Sequence, residues 1–275
     1  MKIIKRNGSE VDFDLGKIIA AVSGKGGTGK TTTVANLGVC LAELGKTTLV
    51  IDLDIGLRNL DLALGLQDMV SSDVLDVVSG DCALTDAIVQ SEKYPRLSFL
   101  SASQFKEKNT VSAEELEALL KTTGSVFDYV LLDCPAGLGE NVTSAVAVAD
   151  VVLIVVNHDP FSLRDGDRIA GIVCENYDAD LKLLVNRYKV DLVRAGKMPN
   201  ILQVVENMAV QLIGAVPDSD AVLLSSYSGT PIALNKKSST SKAYFDAAKR
   251  LMGERIPIVD IPVKKRALKR NKNGI

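Results

Sequence analysis

Seven short apolar runs, each parted from the next by a polar or amphipathic stretch, set the tightest limit on what this chain can fold into. They are Ile18–Val22, Thr48–Leu53, Leu97–Ser101, Tyr129–Leu132, Val151–Val156, Leu181–Val185 and Leu212–Val216. None approaches the roughly 20 apolar residues that a membrane-spanning helix requires. Their hydrophobicity is continuous rather than alternating, the pattern of strands covered on both faces. Between them the apolar residues take helical spacing, as at Val34, Leu37, Leu41 and Leu44, and stop at Gly45. This alternation predicts an α/β fold with a doubly wound, mostly parallel sheet. Such sheets bind ligands beyond the carboxyl ends of their strands, so chemistry is sought in the residues that follow each run.

After the first run comes Gly24-Lys25-Gly26-Gly27-Thr28-Gly29-Lys30-Thr31, which satisfies GxxxxGK[ST] between a strand and a helix, the context this phosphate-binding motif needs. Its glycines let backbone amides turn inward around phosphates, and the helix N-terminus adds its positive end. Lys30 is expected at the β/γ-phosphates, Thr31 on Mg²⁺ and Thr32 at the α-phosphate. Lys25 is a second lysine that such a loop does not need; the plain alternative is a solvated surface side chain.

Asp52 and Asp54 follow the second run and Asp133 ends the fourth, so all three can converge on the metal and γ-phosphate, with Asp52 and Asp133 expected to join Thr31 at the metal. Aspartates also cap turns and helices, and that alternative stands for each. Asn186-Arg187-Tyr188-Lys189 follows a strand and lacks the aspartate of a guanine-selecting NKxD, which favours ATP; Asn186 could pair with the N6/N7 edge of adenine. Pro217 and Asp218 follow the last run, where a base-pocket role and a proline-led helix start explain them about equally well. His158, the single histidine, is assigned no role.

The segment from Lys25 to Thr32 resembles the deviant Walker A motif of the MinD/ParA family, which also includes the nitrogenase iron protein. In that family the early lysine reaches the partner subunit's phosphates, which implies that Lys25, with Lys30 and Asp54, serves hydrolysis and that turnover depends on a homodimer. The resemblance makes Asp54, within Asp52 to Asp61, the first switch, orienting the attacking water. It makes Asp133, within Asp133-Cys134-Pro135-Ala136-Gly137, the second switch at the magnesium shell. From Ile18 to about Pro257 the order of motifs is similar to the MinD branch, whose matching position places Asp165 in the dimer and activator-binding region. That branch implies ATP and Mg²⁺ as cofactors, a MinE-like activator, a MinC-like division inhibitor and control of division-site placement. A DNA-partition ATPase or a flagellar-number regulator of the same family is the alternative.

Three parts are expected: an N-terminal hairpin extension over 1–16, an ATPase domain over 17–256 and a basic tail over 257–275. The first rests on alternation around Asn7-Gly8, a strong hairpin signal, in a segment that also resembles the opening of the ATP-cone regulatory module. The tail carries six basic and no acidic residues after Pro262, and departs from the MinD branch in lacking large apolar side chains that would enter a bilayer. It is expected to bind anionic membrane weakly, if at all, unless two tails act together. With 47% hydrophobic residues and a net charge of −2, nothing global marks a nucleic-acid binder. The four cysteines form no CxxC pair, which argues against a metal-cluster carrier and for a reducing compartment. The N-terminus lacks the apolar stretch of a signal peptide, so a cytoplasmic location is expected.

Overall fold

The computed structural model describes residues 2–4, 10–12, 16–104, 110–123, 126–206, 208 and 210–258. Strands β1 (Lys2–Ile4) and β2 (Glu10–Asp12) pair antiparallel in a two-stranded sheet of their own. The Asn7-Gly8 turn and the basic residues of the tail lie outside the described residues. The main sheet contains β3 (Lys17–Val22), β4 (Thr48–Asp52), β5 (Val89–Gln90), β6 (Leu97–Leu100), β7 (Tyr129–Asp133), β8 (Val151–Asn157), β9 (Asp180–Tyr188) and β10 (Gln211–Pro217). The α-helices among the described residues are α1 (Lys30–Glu43), α2 (Leu60–Leu64), α3 (Val74–Ser79), α4 (Leu84–Ala87), α5 (Ala113–Thr123), α6 (Glu140–Val148), α7 (Pro160–Asn176), α8 (Val190–Arg194), α9 (Ile201–Val205), α10 (Asp220–Tyr227) and α11 (Ser239–Leu251).

The strand order is β10-β9-β8-β3-β7-β4-β6-β5, all parallel except for β5 at the edge. All seven apolar runs are strands, as expected. The eighth, β5, escapes the sequence reading because its two residues are too short to carry a period. Successive residues of the central strands divide between two cores. Ile18, Ala20 and Val22 face α5, α6 and α7, while Ile19 and Ala21 face α1 and α11. That division is why the runs lack alternation: both faces are dry, and each fully buried aliphatic side chain contributes about 1.5–3 kcal/mol.

Helix α1 is buried along most of its length, with Leu37 and Leu41 inaccessible to solvent, because Tyr244, Ala247 and Leu251 of α11 cover its outer side. It ends where Gly45 takes the left-handed conformation at φ 88°. Strand β3 leads directly into α1, and the chain then runs to β4 on one side of β3 and later to β8 on the other. The crevice at this reversal holds the loop between β3 and α1. No described helix is long and apolar enough to cross a membrane. A cleft of about 610 Å³, lined by Leu84, Ile88, Gln90, Thr123 and Phe127, lies toward the amino-terminal ends of the strands, away from this crevice.

Candidate functional site at the P-loop

The loop from Gly24 to Gly29 owes its path to glycines at two places. Gly27 and Gly29 sit at φ 76° and 88°, where a β-carbon is strained, and a β-carbon on Gly29 would come within 2.3 Å of the Asn186 amide nitrogen. Gly24 lies so close to α7 that a β-carbon there would meet the Asp165 Cβ at 2.5 Å. Asn186, at the end of β9, donates from Nδ2 to the Thr28 carbonyl at 2.8 Å and accepts from the Arg187 N–H at 2.9 Å. Asn186, expected at the adenine edge, thus also braces the phosphate loop, and these two bonds leave one N–H and one lone pair of its amide for a ligand.

Lys30 opens α1 and is buried, with Nζ donating to Ser23 Oγ at 3.0 Å. Ser23 in turn donates to the Lys25 carbonyl at 2.9 Å, so the loop is laced across its base. Lys30 forms no ion pair with a described residue, leaving a largely desolvated cation that a phosphate would complement. Lys25 behaves differently. Its side chain is 41% exposed and lies 3.6 Å from Asp159, a half-exposed pair of little energetic weight. Asp159 also caps α7, accepting from the Phe161 and Ser162 amides at 3.1 and 2.9 Å ahead of Pro160.

Asp52 and Asp133 end neighbouring parallel strands in direct register. Both are buried, yet their surroundings differ. Asp52 accepts from three backbone amides, Asp54 at 2.9 Å, Asn59 at 3.2 Å and Leu60 at 3.1 Å. Neither Asp133 oxygen accepts a hydrogen bond from a described residue. Burial pushes Asp52 up to about 7, against the pull of the Asp54 and Leu60 amides. Burial and then the Asp52 charge push Asp133 well above the usual carboxylate range, while the nearby Thr31 hydroxyl and Lys30 draw it back. Asp54 is half-buried and also raised, by burial, with Lys30 opposing.

A buried carboxylate without a partner, beside the Thr31 hydroxyl and across from Lys30, is the donor set that a hydrated Mg²⁺ satisfies, since that ion keeps several waters and needs few protein oxygens. Thr31 and Asp133 therefore fit a magnesium ion. Gly24 to Thr32 fit the phosphates. The second-switch loop touches this floor through the Gly137 N–H, which donates to the Ser23 carbonyl at 3.0 Å. Cys134 beside it is fully buried, and burial pushes its thiol far up, so it is an unreactive packing group. Pro217 pairs in register with Tyr188, and Asp218 forms an ion pair with Lys189 and donates its N–H to the Tyr188 carbonyl at 3.1 Å, so the expected base-pocket residues share one edge of the crevice. His158 is buried, stacked on Tyr188 at 4.6 Å and shifted toward its neutral form by burial.

Ser23 and Asp159 belong to the site although no motif marks them. Asp159 carried a signal of a kind, since Asp-Pro followed by Ser162 starts a helix, but nothing in the sequence ties it to Lys25 134 residues earlier.

A strand, a glycine-shaped loop, a lysine-led helix and two strand-end carboxylates define a P-loop nucleotide-binding ATPase fold. Residues 16–178 match the family model described as an AAA domain. The septum site-determining protein MinD of Synechocystis sp. is 38% identical over 247 residues, covering 90% of this chain and 93% of that protein. The solved MinC:MinD cell division complex of Aquifex aeolicus matches with a TM-score of 0.81 and 38% identity, covering 88% of this chain and 98% of that one. MinD of Pyrococcus horikoshii OT3, solved with Mg-ADP, matches with a TM-score of 0.76 and 30% identity, covering 86% and 95%. The chain belongs to the MinD family of septum site-determining P-loop ATPases.

Proposed function

We propose that this chain hydrolyses ATP as a dimerisation switch, attaching to the inner face of the cell membrane in its paired state and regulating where the division septum forms. The contrast between its two loop lysines carries the reading. Lys30 is buried and turned into the loop, whereas Lys25 stands half-exposed at the rim, lightly held by Asp159. A cation in that position is available to a second copy.

ATP and Mg²⁺, when bound, supply the phosphoanhydride to be cleaved and the divalent charge that screens it. The amides from Gly24 to Thr32 and the Lys30 ammonium hold the phosphates. Thr31 and Asp133 provide the oxygens for the metal. Asp54 orients the attacking water rather than removing its proton, because a carboxylate is a weak base against water. Lys25 of the second protomer neutralises the transferring phosphoryl group; such a cation donated in trans is worth ~10³-fold or more in rate. Asp165, packed on Gly24, couples α7 to that loop at the face where an activator would dock.

The solved MinC:MinD complex of a relative supports a MinC-like partner for this chain. A MinE-like activator follows from the resemblance of the motifs. Six basic tail residues per protomer, doubled on pairing, supply the membrane affinity, each cation contributing about 1 kcal/mol near anionic lipid. The location that follows is cytoplasmic and peripheral to the membrane.

Light scattering on purified protein with a non-hydrolysable ATP analogue tests the switch. A dimer is expected with the analogue and a monomer with ADP; a monomer in both overturns the proposal. Sedimentation with anionic liposomes should follow the same nucleotide dependence. Nucleotide-dependent binding to DNA instead would transfer the reading to DNA partition.

A further inference from the structure

We infer that Asp52 is a positioning residue that fixes the Asp54–Leu60 loop, and through it Asp54, rather than a member of the magnesium shell. This rests on the proposed ATPase site and refines the role of one of its carboxylates. It also departs from the sequence expectation that grouped Asp52 with Thr31 and Asp133 around the metal.

A carboxylate offers about four acceptor positions. In Asp52 three are filled by main-chain donors from both ends of a single loop. Oδ1 takes the Asp54 N–H at 2.9 Å where the loop leaves β4, and Oδ2 takes the Asn59 and Leu60 N–H groups at 3.2 and 3.1 Å where it enters α2. One side chain thus closes the loop into a ring. The capping that Asn59 could give α2 is not made by its own side chain. Asp52, reaching from the strand, accepts instead from the Asn59 and Leu60 amides, two of the donors that the start of a helix leaves without helical partners.

The loop inside this ring carries backbone that most residues avoid. Gly56 and Arg58 both adopt left-handed backbone, at φ 96° and 45°, and for arginine that is strained. The turn is held by the Leu57 and Arg58 amides on the Asp54 carbonyl at 3.1 and 3.2 Å, by the Gly56 N–H on the Ser103 carbonyl at 2.8 Å and by Arg58 Nε on Asp61 at 2.6 Å. Asp54 sits at the first knot of this network, so its direction is set by the Asp52 bond to its own amide. Asp133 is the neighbour in register and is equally buried, yet none of these bonds goes to it. The two carboxylates have divided the work: Asp133 faces the ligand and Asp52 faces the backbone.

The test compares Asp52→Ala, Asp52→Asn and Asp133→Ala in the full chain by two readouts. The first is amide hydrogen exchange of the 54–60 segment in nucleotide-free protein, which needs no catalysis. Asp52→Ala should accelerate it at least about tenfold, Asp52→Asn less because one acceptor oxygen remains, and Asp133→Ala should leave it unchanged. The second is the Mg²⁺ concentration needed for half-maximal binding of a fluorescent ATP analogue. Asp133→Ala should raise it severalfold, and both Asp52 variants should leave it within about twofold while kcat falls. An Asp52→Asn protein with unchanged loop exchange and a raised Mg²⁺ requirement would overturn the assignment. Loss of nucleotide binding in the unmodified protein would refute the ATPase site instead, while the exchange result would still report on the loop.

Discussion

The contact between Gly29 and Asn186 lends itself to a double-mutant cycle. Gly29→Ala forces a β-carbon into left-handed backbone at φ 88°, which costs roughly 1–2 kcal/mol. The new carbon would also stand 2.3 Å from Asn186 Nδ2, so the amide must swing away. That movement adds ~0.5–1.5 kcal/mol for an off-rotamer side chain and a similar amount for the lost 2.8 Å bond to the Thr28 carbonyl. The single change should therefore destabilise the nucleotide-free protein by ~2–5 kcal/mol. Asn186→Ala alone should cost ~1–3 kcal/mol, because it strands a carbonyl at the base of the loop. With both changes the clash disappears and the hydrogen bond is lost only once, so the pair should cost less than the sum by ~1–3 kcal/mol. Urea unfolding followed by circular dichroism measures all three, with a constant m-value as the check on two-state behaviour. Additivity to within about 0.5 kcal/mol would mean that Asn186 does not brace the loop and would refute the reasoning.

Replacing Lys25 with alanine should lower hydrolysis ~10³-fold or more while leaving the urea midpoint nearly unchanged, since its 3.6 Å pair with Asp159 is half-exposed. Near-normal turnover would show that the lysine is only a surface charge. At Asp159, asparagine should keep the α7 cap and alter stability by less than ~0.5 kcal/mol, whereas alanine should cost about 1 kcal/mol; equal losses would discount the cap. Gly65→Ala would press a β-carbon to 2.4 Å from the Gly229 carbonyl oxygen, and should destabilise more than Gly80→Ala, which meets open space at a comparable φ; equal unfolding midpoints would contradict that. Asp52 and Asp133 are both raised on folding, so between about pH 4 and 7 the native state binds more protons than the unfolded chain. Their contribution is therefore fully present at low pH and lost as pH rises through that window. Asp52→Asn should flatten this fall in metal-free protein, and an unaltered slope from pH 5 to 8 would count against it.

The sequence by itself determined the sheet and the loop. Apolar runs of four to six residues without alternation are too short for buried helices and read as strands covered on both faces, and the GxxxxGK[ST] between a strand and a helix marks a place for phosphates. Lys30, Thr31 and Asp133 were legible for that reason, each lying next to an element whose period could be read. Only the tertiary structure decided what the remaining polar groups do. Asn186 and Asp159 meet the loop across 158 and 134 residues, and Asp52 accepts from the backbone amides of the loop that follows it. Periodicity reports which face of an element is dry because hydrophobic burial is local to that element and has no direction. A hydrogen bond requires an angle and about 3 Å between two particular atoms. Distances of that kind exist only after the strands have been placed side by side.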